Sequence, residues 1–553
     1  MGDEIAFVTV YRGDDAEMQQ LTRGCLGPMV LEGGAELDAE LLESRVRDFG
    51  ACLVLELVAG EAFEVTGPVE TLEPELREFA KELLDMPGGG KLALTDGEGL
   101  AGLPEGVTGL RLSVPPVFRS RETGDVFPLF FRRFRDGFAQ AARQLAFEFL
   151  RLQTRSEFSS FRALGPRDVD EVSLQVDREL TAVSEAYRFL LLVAPVNLAE
   201  IRETFFGSRF TNVPEYRYRL LPVDPDVLKR RLFNIRIEDV DDPALSILFR
   251  EKREEIDHEL TMLAERGTRN FFYTSIRRYR GVDPEVLAVA RELCEKLPEV
   301  GPQEAGEKSV TAQEFAQTVR DEFNYFRQQQ GDFDRALHIR DDVNVLMVSQ
   351  GELYVPSGQV LTDRQVRALT QHEVGTHVLT HFNGSRQPLR LFAEGLADYD
   401  PLQEGLAVMA EYFCDSLSPR RLRTLAGRVL AGHHLLQGAD FPEMFRALRG
   451  EAGMTEEEAF KTTARMFQGG GFLKDIVYLE GLVKLQRHLV AGGAYEPLLA
   501  GKFGIKHIPL VAELTERGIL RSPALRPRYL MQSDFDKKLS AVRDGLPLYQ
   551  LTS

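Results

Sequence analysis

Cysteine is scarce in this chain of 553 residues, which contains only four. They are widely separated and form no CxxC pair, so neither a disulfide framework nor a cysteine-based zinc site is expected. The four residues are Cys25, Cys52, Cys294 and Cys414. The first residues also lack the basic segment and apolar stretch that make up a secretory signal. These features are typical of the reducing cytoplasm, which is where we expect the protein to be.

The chain also has fewer basic than acidic residues, and it has no long apolar run. The chain has 67 Lys and Arg residues against 86 Asp and Glu, and its formal net charge is −19. This balance argues against general binding to nucleic acid or to an anionic membrane. No apolar run reaches the roughly eighteen residues that a membrane span requires. We therefore expect a globular protein that has neither nucleic acid nor membrane as a partner.

Several familiar catalytic motifs are missing as well. The chain has no GxSxG nucleophile elbow, and no cysteine lies in a recognisable nucleophile context. The stretch MPGGGK at residues 86–91 is rich in glycine, but its spacing differs from that of a phosphate-binding loop. Serine, cysteine and phosphate-loop chemistry are therefore not predicted.

Two short stretches carry the residues of a zinc hydrolase, QHEVGTH at 371–377 and QEGLA at 403–407. Neutral imidazole and carboxylate groups suit Zn²⁺, and a catalytic site combines three protein ligands with an open position for water. The glutamate beside the first histidine, Glu373, is then free to act as the general base. The sequence thus predicts a zinc cofactor held by His372, His377 and Glu404.

The spacing of the two histidines differs from that of the common HExxH motif. His372 and His377 are five residues apart, which places them about 140° apart on a regular α-helix. Both can face one metal ion only if the helix is locally widened, as in a π-bulge. Gly375 lies where the backbone would have to yield. We therefore predict a widened turn between the two histidines.

An alternative triad needs no such distortion. Glu373, His377 and His381 follow one another at intervals of four residues, so they line one face of a regular helix. A helix with polar residues on its solvated side is a further alternative. We favour the pair His372 and His377 because Glu373 is adjacent to the first of them, and we assign His381 to the helix surface.

The organisation along the chain indicates an α+β protein. Residues 1–155 alternate strand-like and helical patterns and are predicted to form an N-terminal α/β domain of unknown role. Residues 156–553 are predicted to form the peptidase domain, with a helical part at 156–300 and a zinc-site part at 310–553. The stretch VGPQEAGEKS, residues 300–309, is a candidate linker between these parts.

The elements around the motif can also be predicted. Residues 338–356 have the pattern of a β-hairpin that turns at Gln-Gly. Thr362 and Gln365 form a capping box that starts the motif helix, which is expected to extend to about Phe382. Gln403 is expected to begin the next helix, with Glu404 near its N-terminus. A strand next to a metal-binding helix suits the binding of an extended peptide at a sheet edge.

These motifs resemble the QEGLA-motif family of zinc peptidases. That family includes the microtubule-associated tyrosine carboxypeptidases and bacterial relatives named for modulating flavohaemoglobin expression. The resemblance extends from about residue 156 to the C-terminus and implies a mostly helical, gluzincin-like metallopeptidase core with a small hairpin or sheet beside the motif helix. The similar blocks are VPEYRY (213–218), LPVDPDVLKRRLF (221–233), NVLMVSQGELYVPSG (344–358), QHEVGTH (371–377), YxxxQEGLA (399–407) and RMFQGGGFLKDIVYLEG (465–481).

The resemblance implies a role for each matching residue. The catalytic glutamate of the family corresponds to Glu373, and the zinc ligands correspond to His372, His377 and Glu404. Gln468 and Leu473 depart from the family pattern, in which arginine and threonine are usual. These departures leave the core chemistry unchanged but put substrate contacts near that loop in question.

Further roles follow from the needs of peptide hydrolysis. A developing oxyanion requires a hydrogen-bond donor besides the metal, and the candidates, in order of preference, are Tyr478, Lys474 and Arg465. A carboxypeptidase also binds the terminal carboxylate of its substrate, commonly through an arginine. Arg465 and Arg390 are the candidates for that role.

Partners for the ligand histidines remain open at this stage. Glu411 comes two helical turns after Glu404 and therefore faces the same side, where it is either a partner of the site or a solvated residue. Four aspartates are also plausible partners for a ligand imidazole, and the sequence does not single out any of them; they are Asp398, Asp400, Asp415 and Asp475.

Two classes of function are consistent with these observations. The first is a zinc-dependent carboxypeptidase that removes a C-terminal residue, tyrosine in the eukaryotic relatives, from a peptide or protein tail. The second is a regulatory zinc-binding protein that modulates the expression of another protein. Glu373 favours the enzyme, because a structural zinc site has no use for an uncoordinated glutamate beside its ligand. The net charge of −19 argues against a strongly acidic tail such as that of tubulin as the substrate.

Overall fold

The computed structural model describes residues 5–31, 35–97, 99–156, 158, 160–298, 309–343 and 346–552. Over these ranges the chain is mostly helical, has three sheets and belongs to the α+β class. It divides into two compact units. The first contains residues 1–173, 237–247 and 509–520, and the second contains the remainder. The candidate linker lies outside the described residues except for Ser309.

The first unit is built on a six-stranded sheet with the strand order β2-β1-β3-β6-β4-β5. All neighbouring pairs are parallel except β4 and β6. The strands β1 and β3 are almost entirely buried, as expected for central parallel strands. The elements are β1 (Phe7–Tyr11), α1 (Ala16–Gly24), β2 (Pro28–Val30), α2 (Ala39–Phe49), β3 (Cys52–Ala59), β4 (Glu64–Gly67), α3 (Glu73–Asp85), β5 (Ala93–Asp96), β6 (Val107–Val114) and α4 (Pro128–Gln153).

The chain then becomes predominantly helical. Between α4 and the motif region, the part of the chain that the structure describes contains seven α-helices, and several of them begin with a proline that follows a capping aspartate, as α8 and α11 do. The helices are α5 (Glu171–Ser184), α6 (Phe189–Val193), α7 (Leu198–Gly207), α8 (Pro225–Phe233), α9 (Pro243–Ala264), α10 (Arg269–Tyr279) and α11 (Pro284–Lys296). None of the helices that the structure describes is long and apolar enough to cross a membrane.

The motif region combines short strands with helices. The strands are β7 (Ser309–Thr311), β8 (Leu337–Arg340), β9 (Met347–Ser349), β10 (Glu352–Pro356) and β11 (Val360–Thr362). The helices are α12 (Ala312–Gln329), α13 (Asp363–Leu369), α14 (Leu379–Ser385), α15 (Leu391–Glu394), α16 (Tyr399–Phe413), α17 (Pro419–Leu436), α18 (Phe441–Glu451), α19 (Glu456–Phe467), α20 (Val477–Val490), α21 (Ile508–Glu516) and α22 (Phe535–Arg543). A π-helical segment, Thr370–Val378, joins α13 to α14.

The predicted hairpin is confirmed between β9 and β10, which pair antiparallel. Its turn residues, Gln350 and Gly351, have φ values of 50° and 74°, as a tight type I′ connection requires. The strand β8 pairs parallel to β10 on its other side, which the sequence did not predict. Asn344 and Val345, also assigned to the hairpin, lie outside the described residues. The sheet packs beside the π-helical segment.

The helix that carries Glu404 begins earlier than expected. Gln403 was predicted as its first residue, but α16 starts at Tyr399. Pro401 is the reason, because a proline in the first turn of a helix occupies a position whose N–H has no helical partner. Glu404 consequently lies in the second turn, where the neighbouring helices bury it.

Two glycines allow α16 and α20 to cross at close range. A Cβ added to Gly405 would lie 2.5 Å from the carbonyl carbon of Gly481, and one added to Gly481 would collide with the carbonyl oxygen of Pro401. Because the obstacle is backbone on both sides, no side chain can move to make room. This explains why glycine follows Glu404 in the QEGLA stretch, since the crossing fixes the position of that glutamate.

We expect Gly481→Ala to lower the free energy of unfolding by about 1–3 kcal/mol, the usual cost of overpacking. Gly450→Ala is the matched control, because Gly450 lies in α18 with open space around it and helical alanine is favoured over glycine. Urea unfolding of both variants measures the difference. Equal stability of the two variants would show that the helix crossing tolerates a side chain.

Candidate active site

The π-helical segment turns both motif histidines toward one point. The imidazole rings of His372 and His377 lie with their centroids 5.2 Å apart and their planes at 82°. The widened turn predicted from their five-residue spacing is therefore confirmed. Gly375 lies within this turn, where an added Cβ would collide with the side chain of Gln371.

Glu404 approaches the same point from α16. Its Oε2 atom lies 3.5 Å from Nε2 of His372 and 3.6 Å from Nε2 of His377. One ligand atom from each of the three residues lies within 4.8 Å of the others. The Oε2 atom of Glu404 is buried and has no hydrogen-bond partner among the described residues. Two imidazoles and a carboxylate around a buried, unsatisfied oxygen fit the donor set of a catalytic zinc ion.

The protonation of the carboxylates agrees with this arrangement. Burial opposes the ionisation of Glu404, but the two imidazoles and Lys474 hold its pKa well below the ordinary value. Glu404 is therefore an anion at neutral pH, which is the form that binds a metal. Burial raises the pKa of Glu373, although both imidazoles act in the opposite direction. A raised pKa suits a carboxylate that has to accept a proton.

Glu411 holds the first histidine in place. Its Oε1 atom lies 2.8 Å from Nδ1 of His372, which leaves Nε2 of that ring directed at Glu404. Nε of Arg421 lies 3.4 Å from the same Glu411 oxygen. Of the two roles considered for Glu411, partner of the site and solvated residue, the structure shows the first. The four aspartates proposed for this role make no described hydrogen bond to His372 or His377; they are Asp398, Asp400, Asp415 and Asp475.

The assignment of His381 to the helix surface was wrong. Only 7% of this residue is exposed, and its Nε2 atom lies 3.4 Å from Oε1 of Glu394. The ring packs against Gly351 in the hairpin turn, where an added Cβ would collide with it. Among the described residues, Glu373, His377 and His381 do not form a group that could hold a metal ion. The structure therefore does not assemble the alternative triad, and His381 supports the hairpin.

Of the proposed oxyanion donors, Lys474 lies beside the metal-binding group. Nζ of Lys474 is 3.7 Å from Oε1 of Glu404 and 5.5 Å from the centre of the Tyr478 ring. Arg465 donates to both oxygens of Asp475, with Nη2 2.6 Å from Oδ1. Arg390 is exposed, and no described contact joins it to this group.

The sequence over residues 203–545 matches the family model described as "Microtubule-associated tyrosine carboxypeptidase". The chain belongs to this family. No curated protein matches the chain. A solved structure of a candidate lipoprotein of unknown function from Shewanella oneidensis is similar at 11% identity and a TM-score of 0.28, covering 69% of this chain and 87% of that one. That likeness carries no argument about function.

The family match includes every residue of the candidate site. It also includes two residues of α17 that the sequence did not indicate, Arg421 and Arg428. Both guanidinium groups lie over the ring of Tyr478, at 5.8 Å and 4.8 Å from its centre. They are seven residues apart, and this helical spacing was the available signal for a shared face.

We expect Glu411→Ala to weaken zinc binding by about 10–100-fold, the usual effect of removing the partner of a ligand histidine. Glu411→Gln retains an oxygen that can accept the Nδ1 proton and is expected to recover part of the affinity. Competition with a chromogenic chelator measures both values. Unchanged affinity in Glu411→Ala would show that the rest of the protein positions His372 without this contact.

Proposed function

We propose that this member of the family is a zinc-dependent peptidase with a gluzincin-like core, and that it removes a C-terminal residue, tyrosine by the family description, from a peptide or protein tail. One observation carries the proposal. The buried and unsatisfied oxygen of Glu404 faces the Nε2 atoms of His372 and His377. These three residues would hold the zinc ion, and Glu373 is adjacent to the first of them.

The remaining residues suit the steps of peptide hydrolysis. A bound zinc ion supplies Lewis acidity, which polarises water and the scissile carbonyl. Glu373 accepts the proton of the attacking water and then delivers it to the leaving amine. Tyr478 and Lys474 lie beside Glu404 and are the groups proposed to donate hydrogen bonds to the oxyanion. Arg465 is set aside for this role because Asp475 engages its guanidinium at two points.

The alternative is a regulatory zinc-binding protein without catalysis. A structural zinc site is usually closed by four ligands, whereas this group offers three. Glu373 is a further carboxylate beside the group with its pKa raised by burial. Both features favour an enzyme.

We expect the zinc-loaded protein to shorten peptides by one residue from the C-terminus. A library with varied C-terminal residues, read by mass spectrometry, tests this directly. Chelation should abolish the reaction and added zinc should restore it. Zinc binding without cleavage of any peptide would favour the regulatory alternative, and cleavage at internal bonds would contradict carboxypeptidase activity.

A further inference from the structure

Four cations surround the edge of the candidate site and are called the cation cluster below. They are Arg421, Arg428, Arg465 and Lys474. Three of them lie over the ring of Tyr478 at distances of 4.8–5.8 Å. The cluster adjoins the metal-binding group, since Lys474 lies 3.7 Å from Glu404.

Three members of the cluster are engaged by carboxylates. Asp475 accepts from two nitrogens of Arg465. Arg421 lies 3.4 Å from Glu411, and Lys474 lies 3.7 Å from both Asp400 and Glu404. These contacts fix the three side chains within the protein.

Arg428 is the arginine of the cluster that has no described hydrogen bond to a carboxylate. Its nearest described carboxylate oxygen is Oδ2 of Asp475, at 4.0 Å from Nε, which exceeds hydrogen-bond length. Arg465 already engages that carboxylate at both oxygens. The side chain of Arg428 is only 16% exposed. A largely buried guanidinium without a hydrogen-bonded anion can accept one from a ligand.

The electrostatic surroundings of Arg428 agree with the lack of a hydrogen-bonded anion. Burial, together with Arg465 and Arg421, lowers the pKa of Arg428 despite the nearby Asp475. Cζ of Arg428 lies over the ring of Tyr478, 4.8 Å from its centre. A planar group held on an aromatic face presents its edge for two parallel hydrogen bonds, which is the geometry that a carboxylate accepts.

The position also suits the end of a peptide. In a C-terminal residue the carboxylate carbon is three bonds from the carbonyl carbon of the bond to be cut, so the two lie within roughly 4 Å. A group that binds this carboxylate therefore has to lie next to the metal-binding group. Arg428 and Lys474 lie over the same Tyr478 ring, and Nζ of Lys474 is 3.7 Å from Oε1 of Glu404. Tyr478 thus connects Arg428 to the reaction centre.

We propose that Arg428, supported by the ring of Tyr478, binds the terminal carboxylate of the substrate and restricts cleavage to the last peptide bond. This inference rests on the proposed peptidase function. It replaces Arg465 and Arg390 as the carboxylate-binding residue, since Asp475 engages the first and the second is exposed.

Two peptides of identical sequence test the proposal, one ending in a free carboxylate and the other in a carboxamide. The zinc-loaded full chain is expected to cleave the free acid with a kcat/KM at least about 30-fold higher, the lower end of the effect of a buried charge pair. Arg428→Gln should lose at least about 30-fold on the acid, mainly through KM, and little on the amide. Arg428→Lys keeps the charge without the planar fork and should recover part of the loss.

Arg420→Gln is the matched control. Arg420 lies on the same helix, is 46% exposed at its side chain and pairs with Glu458, so both activities should remain. Equal losses of Arg428→Gln on the acid and the amide, at unchanged zinc content, would assign Arg428 a structural role and overturn the inference. Equal cleavage of both peptides by the unmodified protein would also overturn it, while leaving the peptidase function intact. Cleavage of neither peptide would contradict the proposed function itself, and the inference with it.

Discussion

Replacing His372 or His377 with alanine is expected to release the zinc ion and to abolish peptide hydrolysis at the same time. Each imidazole is one of the three proposed protein ligands, and the remaining two groups cannot complete the coordination of a catalytic zinc ion. The metal content of purified protein should fall from about one ion per chain to nearly none. Elemental analysis after gel filtration measures it, and the peptide assay reports the loss of activity.

His381→Ala is the matched control on the same helix. This histidine packs against Gly351 and Glu394 rather than toward Glu404, so its removal should retain the zinc ion while lowering stability. The free energy of unfolding should fall by up to about 2–5 kcal/mol, as it does for other large-to-small changes at buried positions. Zinc retained at full occupancy in both His372→Ala and His377→Ala would refute the ligand assignment.

The sequence predicted the local features of the site because they depend on residues that are close along the chain. The five-residue spacing of the motif histidines predicted the widened turn, since a regular helix cannot direct both rings at one ion. The capping box at Thr362 and Gln365 fixed the start of the motif helix correctly. The Gln-Gly turn predicted the hairpin, because both positions adopt positive φ. The α+β class followed from the same local patterns.

Contacts between distant segments could not be predicted in this way. Glu411 contacts His372 across 39 residues; its spacing from Glu404 predicted which side of the helix it faces, but not this contact. The burial of His381 depends on the hairpin turn at Gly351, which packs over a helix face that its sequence alone would leave in solvent. The start of α16 at Tyr399 was not predicted, although a proline such as Pro401 is accepted in the first turn of a helix.

The role of the glycine in the QEGLA stretch was also hidden from the sequence. Gly405 permits the crossing of α16 with α20, and Gly481 supplies the facing surface. The two residues are 76 positions apart, so neither reveals the need for the other. The same crossing brings Tyr478 and Lys474 toward Glu404, which links the fold to the proposed chemistry.

Glu373→Gln is expected to lower turnover by at least about 10²-fold, the scale of general acid–base catalysis, while zinc remains bound. The amide has nearly the size of the carboxylate and can form hydrogen bonds, but it cannot accept a proton from the attacking water. Stopped assays on the free-acid peptide measure kcat, and elemental analysis measures zinc. Because substrate binding does not depend on this proton transfer, KM should change little.

Glu404→Gln provides the contrast that separates a base from a ligand. A neutral amide is a poorer zinc ligand than a carboxylate, so this variant should lose metal as well as activity. The two substitutions are chemically identical and both occur at partly or fully buried glutamates beside the same histidines. If Glu373→Gln lost zinc and Glu404→Gln retained it, the two glutamates would exchange roles. All the metal ligands would then lie on the motif helix, and the widened turn argues against that arrangement.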